Sequence, residues 1–190
     1  IAHHDGIAWI ATHHEQAATY AAEADARVSG KPGIVHVTAG PGITNTMTGV
    51  ACAWADSIPM IVIAGQVETR TLADGRVRQL GVSEVDGCAL MAPITKCAET
   101  VKNPDYIRLH LERALRLATT GRPGPVYIEI PLDVQSAEID PDTLYRTPFA
   151  DEDTERWRWL RARALETLDE LARAERPVLI IGNGVRLADA

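Results

Sequence analysis

No stretch of the chain approaches the roughly 18–20 continuous apolar residues of a membrane-spanning helix, so no membrane contact is expected. Nor is there an excess of basic residues. Lysine and arginine number 19 against 26 acidic residues, for a net charge of −7, which argues against a general nucleic-acid binder because such a protein needs a basic face. Cysteine is sparse: Cys52, Cys88 and Cys97 show no CxxC spacing and read as reduced thiols of a cytoplasmic protein. His3, His4, His13 and His14 lack the HExxH order. Strand alternation would send adjacent histidines to opposite faces, so no metal site is expected there. Internal repeats and low-complexity segments are absent. An initiator methionine is absent too, and the chain stops just after a strand-like run, so it reads as an excerpt of a longer protein.

What is present is a globular composition. Hydrophobic residues at 46% and charged residues at 24% suit a sizeable core, and 190 residues leave room for part of a second domain. Short apolar runs at 7–12, 34–39, 60–64, 126–130 and 178–181 show little alternation, as expected of strands covered on both faces. Helical patterns lie between them at 15–29, 43–56, 104–120 and 154–174. That order predicts βαβ units and a three-layer α/β/α fold with a mainly parallel sheet. The first helix shows a polar stripe at Gln16, Glu23 and Arg27, with small faces at Ala18, Ala22, Ala26 and at Ala17, Ala21, Ala24. The second shows an apolar stripe of Ile43, Met47, Val50, Ala51 and Trp54. From Asp133 to Asp153 the pattern turns acidic and irregular. The expected division is a domain at 1–150, a linker helix at 151–175 with Trp157, Leu160, Ala164, Leu168 and Leu171 in one stripe, and the start of a second α/β domain at 176–190.

Two local patterns carry chemistry. Glu15 stands in the first turn of an alanine-rich helix, on the Ala18/Ala22 face, and is expected to point inward. A carboxylate so placed either favours the positive end of the helix or meets a ligand. Gly40-Pro41-Gly42 follows a strand and opens a helix that contains Asn45. Glycine permits a sharp turn and close approach, and proline suits a helix start. The turn is neither GxGxxG nor a P-loop.

Three segments, THHEQAATYAAEADAR, VTAGPGITNTMTGVACAWADSIPMIVIAGQV and ATTGRPGPVYIEIPLDVQ, occur in this order over roughly residues 10–135. Together they resemble the N-terminal, pyrimidine-binding domain of the acetolactate synthase-like family of thiamine-diphosphate-dependent decarboxylases and carboligases. RPVLIIGNGV at 176–185 resembles the opening of that family's central domain. The resemblance implies that Glu15 is the activating glutamate, hydrogen-bonded to a ring nitrogen of the coenzyme's aminopyrimidine. Its carboxyl would share a proton there, if burial raises its pKa toward that of its partner. Gly40, Pro41, Gly42 and Asn45 would form the wall against the pyrimidine, with Asn45 also open to a plain capping role. Gly65 and Gln66 match the family's GQ and are expected near the same cleft. Gly81-Val82-Ser83-Glu84 aligns with a stretch that often reads AFQE. Val82 and Ser83 thus stand at substrate-facing positions with altered side chains, which puts acetolactate synthesis itself in question. Lys96 matches a lysine near the substrate entrance, or is a solvated surface residue.

The resemblance further implies 2-keto acid substrates, a homodimer or homotetramer, and Mg²⁺ bound with the coenzyme diphosphate through a GDG motif. No GDG occurs here; Asp74-Gly75 lacks the leading glycine, so the metal is expected on a domain outside this chain. FAD is left open, since several such enzymes carry it, mostly in the central domain. The rival reading is a noncatalytic binding or assembly domain on the same fold. A Rossmann-type oxidoreductase is a further rival, weakened by the missing dinucleotide fingerprint.

Overall fold

The computed structural model describes residues 4–148 and 154–187. His3 and the expected boundary at 150–151 fall outside them. The chain separates into two compact units, Ile1–Thr147 and Pro148–Ala190.

The first unit is built on α1 (Glu15–Ser29), β1 (Gly33–Val37), α2 (Pro41–Thr44), α3 (Met47–Asp56) and β2 (Met60–Gln66), followed by α4 (Gly87–Met91), β3 (Ala98–Thr100), α5 (Ile107–Thr119), β4 (Pro125–Pro131) and α6 (Leu132–Gln135). The four strands are parallel in the order β1-β2-β4-β3. Alternate side chains of the central strands enter two separate cores, as the period of a strand requires. Val35, Val37, Met60, Val62, Ala64 and Tyr127 pack with Ala22, Ala26, Val50 and Ala53 of the first and third helices. Ile61, Val126 and Ile128 pack with Ala114, Ala118 and Val134 on the other side. The result is the expected three-layer α/β/α arrangement. β1 is covered on one side only, so Ile34 on its other face remains 67% exposed.

Several elements depart from the sequence expectation. Residues 7–12 and 178–181 are not strands. Each is apolar enough, but a strand exists only where a neighbour takes its backbone hydrogen bonds, and neither run is paired here. The short strand Ala98–Thr100 lacks an apolar run and exists through its ladder with Tyr127–Glu129. The second helix is two pieces: Thr46 donates to Ile43 O (3.0 Å), a tighter bond than the helical one, and the axis restarts at Met47. Its buried face is Gly49, Val50 and Ala53, while Trp54 is 42% exposed. The helix beginning at Pro104 opens with a 3-10 turn, Pro104–Tyr106.

Glu23 belongs to the core side of α1 rather than to a solvent stripe. It is only 8% exposed and accepts from Arg27 at 2.6 Å, while Arg27 also reaches Asp56 of α3 at 2.5 Å. A buried carboxylate is tolerated because its charge is paired. The same two helices cross tightly at Gly49, where a Cβ would lie 2.0 Å from Thr19 Oγ1. Gly49→Ala is expected to lower stability by about 2 kcal/mol through overpacking. Urea unfolding with an unchanged slope would register it, and a variant as stable as the parent would remove this crossing as a constraint.

In the second unit, α7 (Thr154–Arg173) forms as expected, with Trp157 59% and Leu168 60% exposed. A short α8 (Gly184–Leu187) follows. Among the described residues, no helix is long and apolar enough to cross a membrane. Cys52, Cys88 and Cys97 are free thiols.

Candidate active site

α1 runs back along the sheet before β1 begins, so its first residue lies at the carboxyl edge of the strands. β1 delivers Gly40 to that same edge. Ligands of open parallel sheets bind at this edge. His14 is the N-cap of α1: its Nδ1 accepts from Gln16 N at 3.1 Å. The histidine therefore starts the helix that carries Glu15, and among the described residues no group of His, Cys, Asp and Glu forms a metal cluster.

Glu15 is half-buried, and its Oε2 accepts from Asn45 Nδ2 at 3.0 Å. That bond joins the start of α1 to the end of α2. The Asn45 amide holds the Glu15 carboxyl below its ordinary value, helped by its own backbone N–H; burial opposes the shift and His14 adds a small favourable field. Proton sharing with a ring nitrogen was expected on the condition that burial raises this value; in the free site, hydrogen bonding to the ionised form outweighs desolvation at this half-exposed position. Asn45→Ala is expected to raise the Glu15 pKa. A group with a lowered folded pKa contributes stability above its unfolded value of about 4.5, lost as pH falls through the folded value. Without Asn45 the folded value moves back toward the unfolded one, so this contribution shrinks and folded Glu15 takes up its proton at higher pH; a carboxyl NMR titration would detect the move, and an unmoved titration would remove Asn45 as the cause.

The turn at Gly40 has φ 65° and ψ −118°, and its carbonyl accepts from Ile43 N and Thr44 N. Pro41 takes the first helical position, where no N–H is needed. A Cβ on Gly40 would lie 2.3 Å from Ser83 O, and one on Gly42 would lie 2.9 Å from Thr38 Cγ2. Ser83 itself holds φ 60°. So the structure brings Glu15 to Asn45, and Gly40 to Ser83, on one edge of the sheet. Val82, next to Ser83, is 89% exposed.

Two carboxylates that the sequence reading did not single out shape this edge. Glu84 accepts from Ala73 N (2.5 Å), Leu80 N (2.8 Å) and Gly81 N (3.0 Å), closing the loop that carries Ser83. Desolvation pushes its pKa up, but the three backbone donors hold it below the usual value. Glu129 is 3% exposed and accepts from Tyr127 OH (2.8 Å), Thr100 Oγ1 (2.7 Å) and Gln66 Nε2 (3.3 Å). Its signal was available: one acid inside the otherwise apolar run VYIEIP.

That network corrects the expectation for Gln66. Its amide is turned into the core, donating to Val85 O at 3.0 Å as well as to Glu129, and it is only 4% exposed. Gly65 does lie beside the turn, its Cβ position 3.6 Å from Ala39 N. Lys96 is a larger correction. Its backbone N donates to Pro125 O, at the first residue of β4, in register with Met60 and Gly33. The Gly40 turn follows Val37, four residue steps along the sheet, about 13 Å at the ordinary rise of a parallel strand. Lys96 is therefore at the opposite edge from Glu15, because the ladder between its backbone and β4 fixes it there.

A half-buried glutamate with a fixed amide partner, beside a tight glycine–proline–glycine turn, can hold a flat nitrogen heterocycle by its edge and exchange a proton with it. Residues 1–90 match the family described as "Thiamine pyrophosphate enzyme, N-terminal TPP binding domain". The matched stretch is just under half of this chain and holds Glu15, Gly40 and Asn45. More particularly, the chain is 41% identical to a probable acetolactate synthase large subunit of Methanocaldococcus jannaschii, over 95% of this chain and 30% of that protein. It is 38% identical to the acetolactate synthase large subunit of Lactococcus lactis and 39% to that of Corynebacterium glutamicum. Each match covers 95% of this chain and 30% or 28% of the relative. The chain thus spans less than a third of the length of the curated relatives it matches.

Proposed function

We propose that the chain is the pyrimidine-binding part of a thiamine-diphosphate-dependent enzyme that decarboxylates or joins 2-keto acids, with Glu15 as the proton-exchanging group. The observation that carries this reading is the Glu15–Asn45 hydrogen bond set beside the Gly40 turn. When bound, thiamine diphosphate supplies the electron sink for cleaving a bond next to a carbonyl. Glu15, Asn45, Gly40, Pro41 and Gly42 would hold its pyrimidine end. Asn45 orients the Glu15 carboxylate and leaves its second oxygen for a ligand. Gly40 and Gly42 let the turn pack closely against Ser83 and Thr38. Because Glu15 is held ionised here, it meets a ligand as an acceptor. Exclusion of water on closure then brings its pKa toward that of a ring nitrogen, so that a proton at its oxygen can be shared.

The diphosphate and Mg²⁺ are assigned to residues outside this chain, since it contains no GDG. The site is completed by another subunit in a homodimer or homotetramer, and the enzyme acts in the cytoplasm. The test is an assay of the full-length protein for carbon dioxide release from pyruvate, with and without thiamine diphosphate and Mg²⁺. Coenzyme-dependent release supports the reading. Tight coenzyme binding by residues 1–190 alone would contradict the placement of the diphosphate site elsewhere. A full-length protein that neither binds coenzyme nor turns over 2-keto acids would be a binding or assembly protein instead.

A further inference from the structure

The amino-terminal edge of the sheet, opposite Glu15, carries a cleft of about 250 Å³ lined by Trp54, Ala55, Lys96, Arg122 and Pro123. The proposed reaction has no use for it. Gly124 lets two of the lining side chains close on the backbone beside it: a Cβ there would meet Lys96 Cδ at 3.3 Å and Trp54 Cε3 at 3.7 Å. The lysine stem and the indole edge occupy the room a side chain would take.

Both cations at this cleft are positioned by neutral groups. Lys96 Nζ donates to Thr120 O at 2.6 Å, and Arg122 Nε donates to Ser57 Oγ at 2.7 Å. Among the described residues, neither forms an ion pair. Asp56, next to the lining residue Ala55, is engaged by Arg27. In a chain with net charge −7, two cations share one concave surface without a carboxylate. Such an arrangement costs free energy that an anion would remove. An ammonium and a guanidinium fork together suit the oxygens of a carboxylate or phosphate. Trp54, 42% exposed, offers an aromatic face to a flat or apolar group. Burial lowers the pKa of Lys96, the shift an incoming anion would reverse.

We propose that this cleft binds a small organic oxyanion, its carboxylate or phosphate held by Lys96 and Arg122 and its apolar body against Trp54. The volume lies below the roughly 300–1,000 Å³ of pockets for drug-sized ligands, which restricts the body to about one ring.

The experiment is calorimetric titration of the full-length protein, saturated with thiamine diphosphate and Mg²⁺ so that the coenzyme's own phosphate site is filled. Phenyl phosphate is the probe and inorganic phosphate the comparison. Saturable binding of phenyl phosphate is expected, at least about tenfold weaker in Lys96→Gln/Arg122→Gln. Trp54→Ala should weaken phenyl phosphate but leave inorganic phosphate unchanged. Arg122 is exposed, so Arg122→Gln alone serves if the double variant does not fold, with the same direction of effect. Absence of saturable binding, or binding indifferent to these substitutions, would overturn the proposal.

Discussion

Glu15→Gln in the full-length enzyme should lower turnover by about a hundred- to ten-thousand-fold, the range for loss of a positioned proton-exchanging group. Its fold and coenzyme affinity should stay near those of the parent. Glutamine matches glutamate in shape, and its carbonyl oxygen can still accept from Asn45, which donates to Glu15 at 3.0 Å. What the substitution removes is the ability to take up and return a proton. Steady-state release of carbon dioxide from pyruvate, circular dichroism and coenzyme titration together separate these effects. Turnover equal to the parent's would sink the catalytic assignment. A loss of turnover in step with coenzyme affinity would give Glu15 a binding role only.

Gly40→Ala should be among the most damaging single substitutions on this edge, at about 4 kcal/mol. Two independent costs add. The backbone at φ 65°, ψ −118° is one that side-chain-bearing residues avoid, worth about 1–3 kcal/mol. The new Cβ would lie 2.3 Å from Ser83 O and 2.9 Å from Ser83 Cβ, worth about 1–3 kcal/mol of overpacking. Neither partner yields easily. Ser83 holds φ 60°, and Glu84 ties its loop back through three backbone N–H groups. Relief must come from displacing either the turn or the 81–84 loop. A combined reading of thermal midpoint and turnover is therefore informative. Loss of turnover with a preserved midpoint would mean that the loop moved, while an alanine variant equal to the parent in both would show that this contact is not made. Ser83→Gly should restore part of the stability, since it removes one of the two clashing atoms.

Much of the fold was legible because it depends on local pattern. The bounds of α1, from Glu15 to Ser29, follow from the alanine-rich periodicity and the glycine at position 30, which takes φ 72° as a left-handed cap. The apolar runs at β2 and β4 are strands with both faces covered, as their lack of alternation implied. Where the pattern was equally apolar but pairing was missing, as at 7–12, it was misleading. The face of a helix was harder to read than its extent. Trp54 fits an apolar stripe, yet Ala53 is the residue in the core, because the break at Asn45–Thr46 rotates the second piece. Glu23 fits a polar stripe, yet it is buried because Arg27 travels with it.

The site divided the same way. Glu15 and the Gly40 turn were marked as candidates by short-range signals, a carboxylate at a helix start and a glycine–proline turn after a strand, whereas Asn45 was marked only through the family resemblance. Three things were decided only by tertiary structure. The pKa of Glu15 goes down rather than up, because an amide thirty residues away reaches it. Gln66 faces inward, because a buried carboxylate on a neighbouring strand needs its N–H. Lys96 stands at the far edge, because its backbone pairs with the first residue of β4. The sequence by itself determined which residue types were available and the order in which the chain presents them. Which of them meet is a matter of strand register and helix rotation, quantities set by contacts between distant segments and carried by no single stretch of sequence.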